Sequence, residues 1–389
     1  MVVEYNIERV VYSNYVPALY AIHAIHLSSL RRNPMSVTAE PAPRLRDALR
    51  HVLLHLVTPL LMCLGMGLAY MGAFVTPEPN DMPIAVVGSG PQTQVLAQTV
   101  KDKAGDALDV RTLADREQAV DALKSLDIAG AYVPDAKSPE LIVASAGSDM
   151  SSLAAQKIFT PVAVEQGVPL KVTDVAAPVA DDPTGQGLFF LLVAVSIGSY
   201  ASVAVLGAAG AGLRMRARAG LAVGVSFAVS LIGAALAGPI FHLVHHGLWG
   251  VWAMAWLYSA GVLLIGVGLH TFLKRWTTLA MMVLFVMLNF TTSGGLFRPE
   301  LQNGFFGSLH AFWNGAGFVE GIRSHLYFGG HGLGGHVWTL AGWLVLGLAI
   351  VAIAGLWERR GRTAATPAGV REAREREAEE EEMEESVAV

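Results

Sequence analysis

The hydrophobic positions of this chain fall into two regimes. In the second half they run together in blocks of about 20, the length a helix needs to cross a bilayer's hydrocarbon core with every backbone N–H and C=O bonded inside the segment. Six stretches have that character: residues 52–75, 187–206, 221–244, 251–269, 276–292 and 337–356. The first is too long, and too far from the N-terminus, for a cleaved signal peptide, so it reads as an anchor. Residues 1–34 are moderately apolar but hold no run of about 18 apolar residues, and Met35 opens a more ordinary start, so a mis-called initiation at Met1 is one reading of them.

Between the first and second stretches the pattern changes to short runs. PIAVVG (83–88), DVRTL (109–113), IAGAYVP (128–134), ELIVASA (140–146) and LKVTDV (170–175) have the β-rich character of strands. Amphipathic stretches at 93–103, 115–126 and near 149–163 predict helices, the second with an acidic start that suits the helix dipole. The order β-α-β-α-β-β-α-β implies a mixed sheet with helices packed on it, and residues 80–178 are expected to fold alone. GSGPQT (88–93) lacks the third glycine of a dinucleotide loop and is better read as a plain turn.

The fold class expected is a polytopic α-helical membrane protein of six transmembrane helices, with an α/β extracytoplasmic domain between helices 1 and 2. Its parts are a cytoplasmic segment 1–50, helix 1 at 51–75, the outer domain 76–186, a five-helix transmembrane domain 187–356 and an acidic cytoplasmic tail 357–389. Within the five-helix domain, residues 294–330 form a re-entrant or interfacial segment.

Composition and charge sharpen this. Of 389 residues 53% are hydrophobic and 15% charged, with mean hydropathy +0.47, where a soluble domain carries about a quarter of its residues charged. The single cysteine, Cys63, lies in an apolar run, so no intrachain disulfide forms. Arg44, Arg46, Arg50, Arg214, Arg216, Arg218, Lys274, Arg275, Arg359, Arg360 and Arg362 all fall on one side of the six spans, against Arg298 and Arg323 on the other. The positive-inside rule then puts both termini in the cytoplasm of a multi-pass plasma (inner) membrane protein. Residues 76–186 carry sixteen acidic against eight basic residues, as befits an outward-facing unit.

Chemistry-bearing motifs are few. No phosphate-cradling loop, zinc-protease helix or nucleophile elbow occurs, which argues against intrinsic enzymology, and neither a cofactor nor a nucleic-acid partner is implied. No carboxylate lies between Asp182 and Glu300, so ion-coupled carriage has no intramembrane acid in spans two to five, although histidines can substitute. His242, His245 and His246 at i, i+3, i+4 share one face if helical and are weak metal candidates; interfacial histidines are the commoner reading. Ser196, Ser199, Tyr200, Ser202 and Asn289 on spans two and five either line a path or pack helices. Glu379–Glu382 reads as a solvated tail. Glu320 and Arg323, in NGAGFVEGIRSHLYFGG (314–330), are an i, i+3 acid–base pair in a glycine-rich, apolar setting: either a modest interfacial ion pair or part of a transport element.

The arrangement of PIAVVG, LIVASAG, DDPTGQG before span two and NGAGFVEGIRSHLYFGG before the last span resembles the permease family of type-2 ABC exporters, in its YhgE/Pip (phage infection protein) actinobacterial branch, over residues 50–356. The resemblance implies an amphipathic helix at 43–56 and a re-entrant element of Gly315, Ala316, Gly317, Arg323, Ser324, Tyr327 and Phe328, to which the i, i+3 pairing adds Glu320. It also implies a lipid-embedded exporter of amphipathic, lipid-like or drug-like substrates, working as a homodimer with a separate ATP-binding subunit. The loop 212–220 departs from the pattern, being short and purely basic where an ATPase-docking helix offers an acidic contact. The alternative is a non-transporting envelope protein whose outer domain binds a partner.

Overall fold

The computed structural model describes residues 45–364. The proposed start at Met35 and the acidic run 379–382 lie outside them. By contact the described chain divides between residues 57 and 58, within its first helix. Helix α1, Leu45–Phe74, is long and apolar, and only 6% of its most apolar window is buried by protein.

A five-stranded sheet follows: β1 Met82–Val87, β2 Leu108–Leu113, β3 Gly130–Val133, β4 Glu140–Val143 and β5 Lys171–Asp174, in the order β2-β1-β3-β4-β5. All neighbours are parallel except β3 and β4, which run antiparallel with Ala131 opposite Ile142. The connecting helices are α2 Pro91–Ala104, α3 Arg116–Lys124 and α4 Asp149–Glu165. Asp115 caps α3 by accepting from the Gln118 amide, and Ser148 caps α4 by accepting from Ser151. Alternation along β1 divides the apolar side chains between two faces. Met82, Ile84 and Val86 pack with α2 and α4 around the stacked rings of Tyr132 and Phe159, while Ala85 and Val87 face Ala119 and Leu123 of α3.

Neither layer is closed by the sheet and its helices alone. Leu301, 3% exposed, sits in the first core with Phe297 packed against it, and Phe328 is buried in the second. Two pieces of chain more than a hundred residues downstream of 80–178 thus contribute to both of its cores.

The helical part contains α5 Gly187–Ala208, α6 Met215–Ala235, α7 Leu248–Leu273, α8 spanning residues 277–292, α9 Gly304–His310, α10 Asn314–Tyr327 and α11 Leu333–Ala364. Among the described residues five stretches are long and apolar enough to cross a membrane: Leu56–Phe74, Gly187–Ala208, Met215–Ile240, Leu248–Thr292 and Leu333–Arg360. The fourth is 45 residues long and contains the two stretches expected at 251–269 and 276–292. It turns back on itself at a short 3-10 segment, Lys274–Trp276, where Lys274 takes a φ of 47°. Tyr258 then meets Asn289 and Gly266 lies beside Met281, as an antiparallel hairpin requires. This hairpin is the most enclosed of the five, with 72% of its most apolar window buried.

Two helices carry π-turns, Leu236–Ile240 and Val283–Met287. The first contains Pro239, which cannot donate to the helix ladder, and the helical path ends there rather than at residue 244. The histidine triplet consequently lies in an irregular connection, not on one helical face. His242 has a φ of 54°, His245 Nε2 lies 3.2 Å from Asp181, and His246 Nε2 donates to the Leu326 carbonyl at 3.0 Å. Among the described residues no three His, Cys, Asp or Glu side chains converge as a metal site.

Candidate functional site

Helix α10 is fourteen residues long, and all but His325 and Tyr327 are buried. Buried helices are ordinarily apolar; this one holds Asn314, Glu320, Arg323 and Ser324 at 0–3% exposure. Its glycines explain how it fits. A Cβ on Gly315 would stand 2.5 Å from Asn289 Oδ1 and 2.9 Å from the Asn289 carbonyl oxygen, so α8 and α10 touch backbone to backbone there. Gly317 and Gly321 admit α11 and α7 with similar closeness. The helix starts deep: the Phe312 carbonyl accepts from Trp343 Nε1 at 2.8 Å, and Trp343 lies ten residues into α11, about 15 Å along its axis. Trp313 Nε1 donates to the Leu284 carbonyl, inside the second π-turn, at 3.1 Å. At its other end α10 is closed by Gly330, φ 81°, whose N–H reaches the Ser324 carbonyl at 2.9 Å. Ser324 Oγ donates to the His331 carbonyl across the same turn.

Charges gather on one side of α10. Arg323 Nη1 donates to Glu320 Oε1 at 2.8 Å and to the Gly294 carbonyl at 3.3 Å. Gly294 must be glycine twice over, since its φ is 73° and a Cβ would meet Glu320 Oε1 at 2.7 Å. Arg298 Nε stands 3.7 Å from Glu320 Oε1 and 3.9 Å from Glu300 Oε1, and Glu300 accepts from Ser151 Oγ at 2.9 Å. His310 Nδ1 donates to the Thr292 carbonyl at 2.8 Å with its ring beside Glu320. The four ions balance, which is what makes their burial tolerable. Burial pushes the Glu320 carboxyl up, but Arg323 and Arg298 outweigh it and hold it below its ordinary value. Burial lowers Arg323, and Glu320 recovers only part of that. Burial also works against the charge of Arg298, and Glu300 with Glu320 more than offsets it. The imidazole of His310 is pushed down by burial and stays neutral.

A second polar cluster lies between α5, α7 and α8. Asn289 Nδ2 donates to the Tyr258 hydroxyl at 2.7 Å, Tyr258 meets Ser196 Oγ at 2.6 Å, and Ser196 donates to the Leu192 carbonyl. Ser199 donates to the Val195 carbonyl and meets Ser259 Oγ at 2.8 Å. Ser199 and Asn289 are fully buried and joined to neighbouring helices, while Tyr200 is half-buried. Asn289 Oδ1 and both side-chain polar atoms of Asn314 are buried without a partner among the described residues, at the first turn of α10. Each such orphan costs about 1–3 kcal/mol, so a polar guest gains most there.

Of the residues singled out in the sequence, Gly315, Gly317, Glu320, Arg323 and Ser324 share α10. Tyr327 is its last residue and Phe328 follows it, and Tyr327 packs against both the bundle core and the core on the α3 side of the sheet. Arg298, Glu300, His310 and Tyr258 were not singled out. The signal available for two of them was spacing: Arg298 and Glu300 are the only other charges between Arg275 and Glu358 besides the α10 pair. The acid missing from loop 212–220 also has a counterpart, because buried Arg218 forms an ion pair with Glu358 of α11. Comparison with family models, curated proteins and solved structures finds no match to this chain.

Proposed function

We propose that the protein is a membrane permease exporting an amphipathic, lipid-like or drug-like substrate, with α10 as its re-entrant element. The observation that carries this is α10 itself: a buried half-helix beginning about 15 Å along α11, with unpartnered amide atoms at its first turn and balanced charges at its side. Discontinuous helices that place polar groups at depth are costly unless they meet a polar guest. The reading includes six spans, with the α7–α8 hairpin counted twice, both termini in the cytoplasm and the sheet outside. It also includes a homodimer driven by a separate ATP-binding subunit, as the resemblance to type-2 exporters implies. One observation favours the second reading, an envelope protein whose outer unit binds a partner: Ser199 and Asn289, two of the candidate path residues, are engaged between helices.

Purification in mild detergent separates the two. Recovery of an ATP-binding subunit in stoichiometric amount, with increased sensitivity of a deletion strain to amphipathic drugs, is the expected result; a lone chain with unchanged sensitivity overturns the permease. For topology, in a Cys63→Ala background, Lys124→Cys should react with a membrane-impermeant thiol reagent in intact cells and Arg216→Cys should not. The reverse pattern inverts the arrangement. Both positions are exposed, whereas Glu300 is engaged by Ser151 and would report poorly.

A further inference from the structure

The chain between α8 and α11 is fastened to the sheet at both ends. At its start, Phe297 and Leu301 enter the core under Met82, Ile84 and Phe159. The Asn80 backbone N–H donates to the Glu300 carbonyl at 2.9 Å, and the Asn80 side chain donates to the Gln302 carbonyl at 3.0 Å. At its finish, Phe328 is buried against the opposite face of the sheet, its ring beside Gly147 just before α4. Between these anchors runs a chain of polar contacts from the first turn of α4 to the middle of α10: Ser151 to Glu300, Glu300 to Arg298, Arg298 to Glu320, Glu320 to Arg323.

Arg298 is the unusual member. Its Nε faces two carboxylates at 3.9 and 3.7 Å and forms a hydrogen bond with neither. Nε carries a single hydrogen, so it can complete a linear bond with only one of the two carboxylates at a time. The two contacts therefore compete, and a small displacement decides between them. Packed interiors convert such competition into discrete arrangements rather than gradual deformation.

We infer that the sheet acts as a lever on α10: a shift of the first turn of α4 changes how Glu300 holds Arg298, and Arg298 in turn tightens or releases Glu320. When Ser151 holds Glu300, Arg298 has a fixed anion behind it and supports the Glu320–Arg323 pair. When Ser151 lets go, Glu300 can follow Arg298, Glu320 loses part of its partner, and α10 loosens. Any ligand or partner that moves α4 thereby acts on the half-helix from outside the bundle. The inference stands apart from export, because its readout is hydrogen exchange and not transport.

The test is exchange of α10 amides in the full chain in detergent micelles. Ser151→Ala touches no residue of α10, yet should speed exchange of residues 318–326 by about tenfold or more, the factor set by a lost hydrogen bond to a charged group. Arg298→Gln should do at least as much. In that background Ser151→Ala should add nothing, because the link between them is gone. Should Arg298→Gln fail to fold, Glu300→Gln keeps an acceptor for Ser151 but removes the charge that competes for Arg298, so exchange of residues 318–326 should not speed up, and in that background too Ser151→Ala should add nothing; faster exchange in Glu300→Gln alone overturns the lever. A Ser151→Ala effect confined to residues 148–152 overturns the lever, as does a double variant whose effects simply multiply.

Discussion

Glu320 and Arg323 are both buried, but their positions are not equivalent. Without Arg323, Glu320 still has Arg298 at 3.7 Å. Without Glu320, Arg323 keeps only the Gly294 carbonyl at 3.3 Å, and a buried guanidinium remains with no carboxylate in contact. Removing one partner of a buried pair costs about 3–5 kcal/mol, chiefly as the penalty on the charge left behind. Glu320→Ala should therefore lower the melting temperature in detergent more than Arg323→Ala, and the double substitution should recover part of the Glu320→Ala loss. Equal and additive single effects would mean that neither ion leans on the other. This pair was legible because an acid and a base at i, i+3 stood alone in a long apolar stretch. Arg298 and Glu300 were visible only as charges in a loop. Nothing local says that Arg298 turns toward Glu320 twenty-two positions away, and only folding makes that contact.

At the scale of elements, the attachment of α9 to the end of α8 depends on pH. His310 is half-buried and donates to the Thr292 carbonyl; its removal from water lowers its folded pKa below the ordinary value of about 6.5 and outweighs Glu320 and the Thr292 bond, which favour the proton. Below that value the unfolded chain binds a proton that the folded chain resists, and stability is lost as pH falls from about 6.5 toward the folded pKa. Glu320, also depressed, adds a further loss only below its own ordinary value near 4.5. The melting temperature should thus fall between pH 7 and pH 5, and His310→Asn, which keeps a donor for Thr292 but does not titrate, should flatten that slope. An unchanged slope would assign the dependence elsewhere. Helix existence could be read from apolar run length, whereas helix ends depended on local chemistry. Pro239 with its π-turn stops α6 short of the histidines, and the periodicity of 242, 245 and 246 carried no hint of that. Likewise the hairpin at Lys274–Trp276 was marked by its two basic residues, but its 45-residue apolar continuity makes one run of two helices.

The whole molecule is organised around the dependence of the sheet on later chain. Strand alternation placed β1 to β5 within a few residues, since period-two burial is a local property. The contributions of Phe297, Leu301 and Phe328 were hidden, because a lone aromatic in a glycine-rich segment does not announce which core it enters. Residues 80–178 produced alone should therefore show strand and helix signals by circular dichroism, yet bind hydrophobic dye and self-associate, with Tyr132, Phe159 and Ile142 losing cover. A monomeric fragment that binds no dye would show that these downstream residues are dispensable to the cores.

That dependence also has a clock. The last strand ends at Asp174, but the second core is not complete until Phe328 has been made. At ribosomal rates of about 5–20 residues per second, the interval is roughly 10–30 s. During it, three more long apolar stretches, the last of them the α7–α8 hairpin, are made while a half-finished sheet waits with open apolar faces. A nascent chain stalled between residues 174 and 297 therefore carries an intact set of strands that lacks both of its closures, and a holding chaperone on the sheet's side of the membrane would have its longest engagement there.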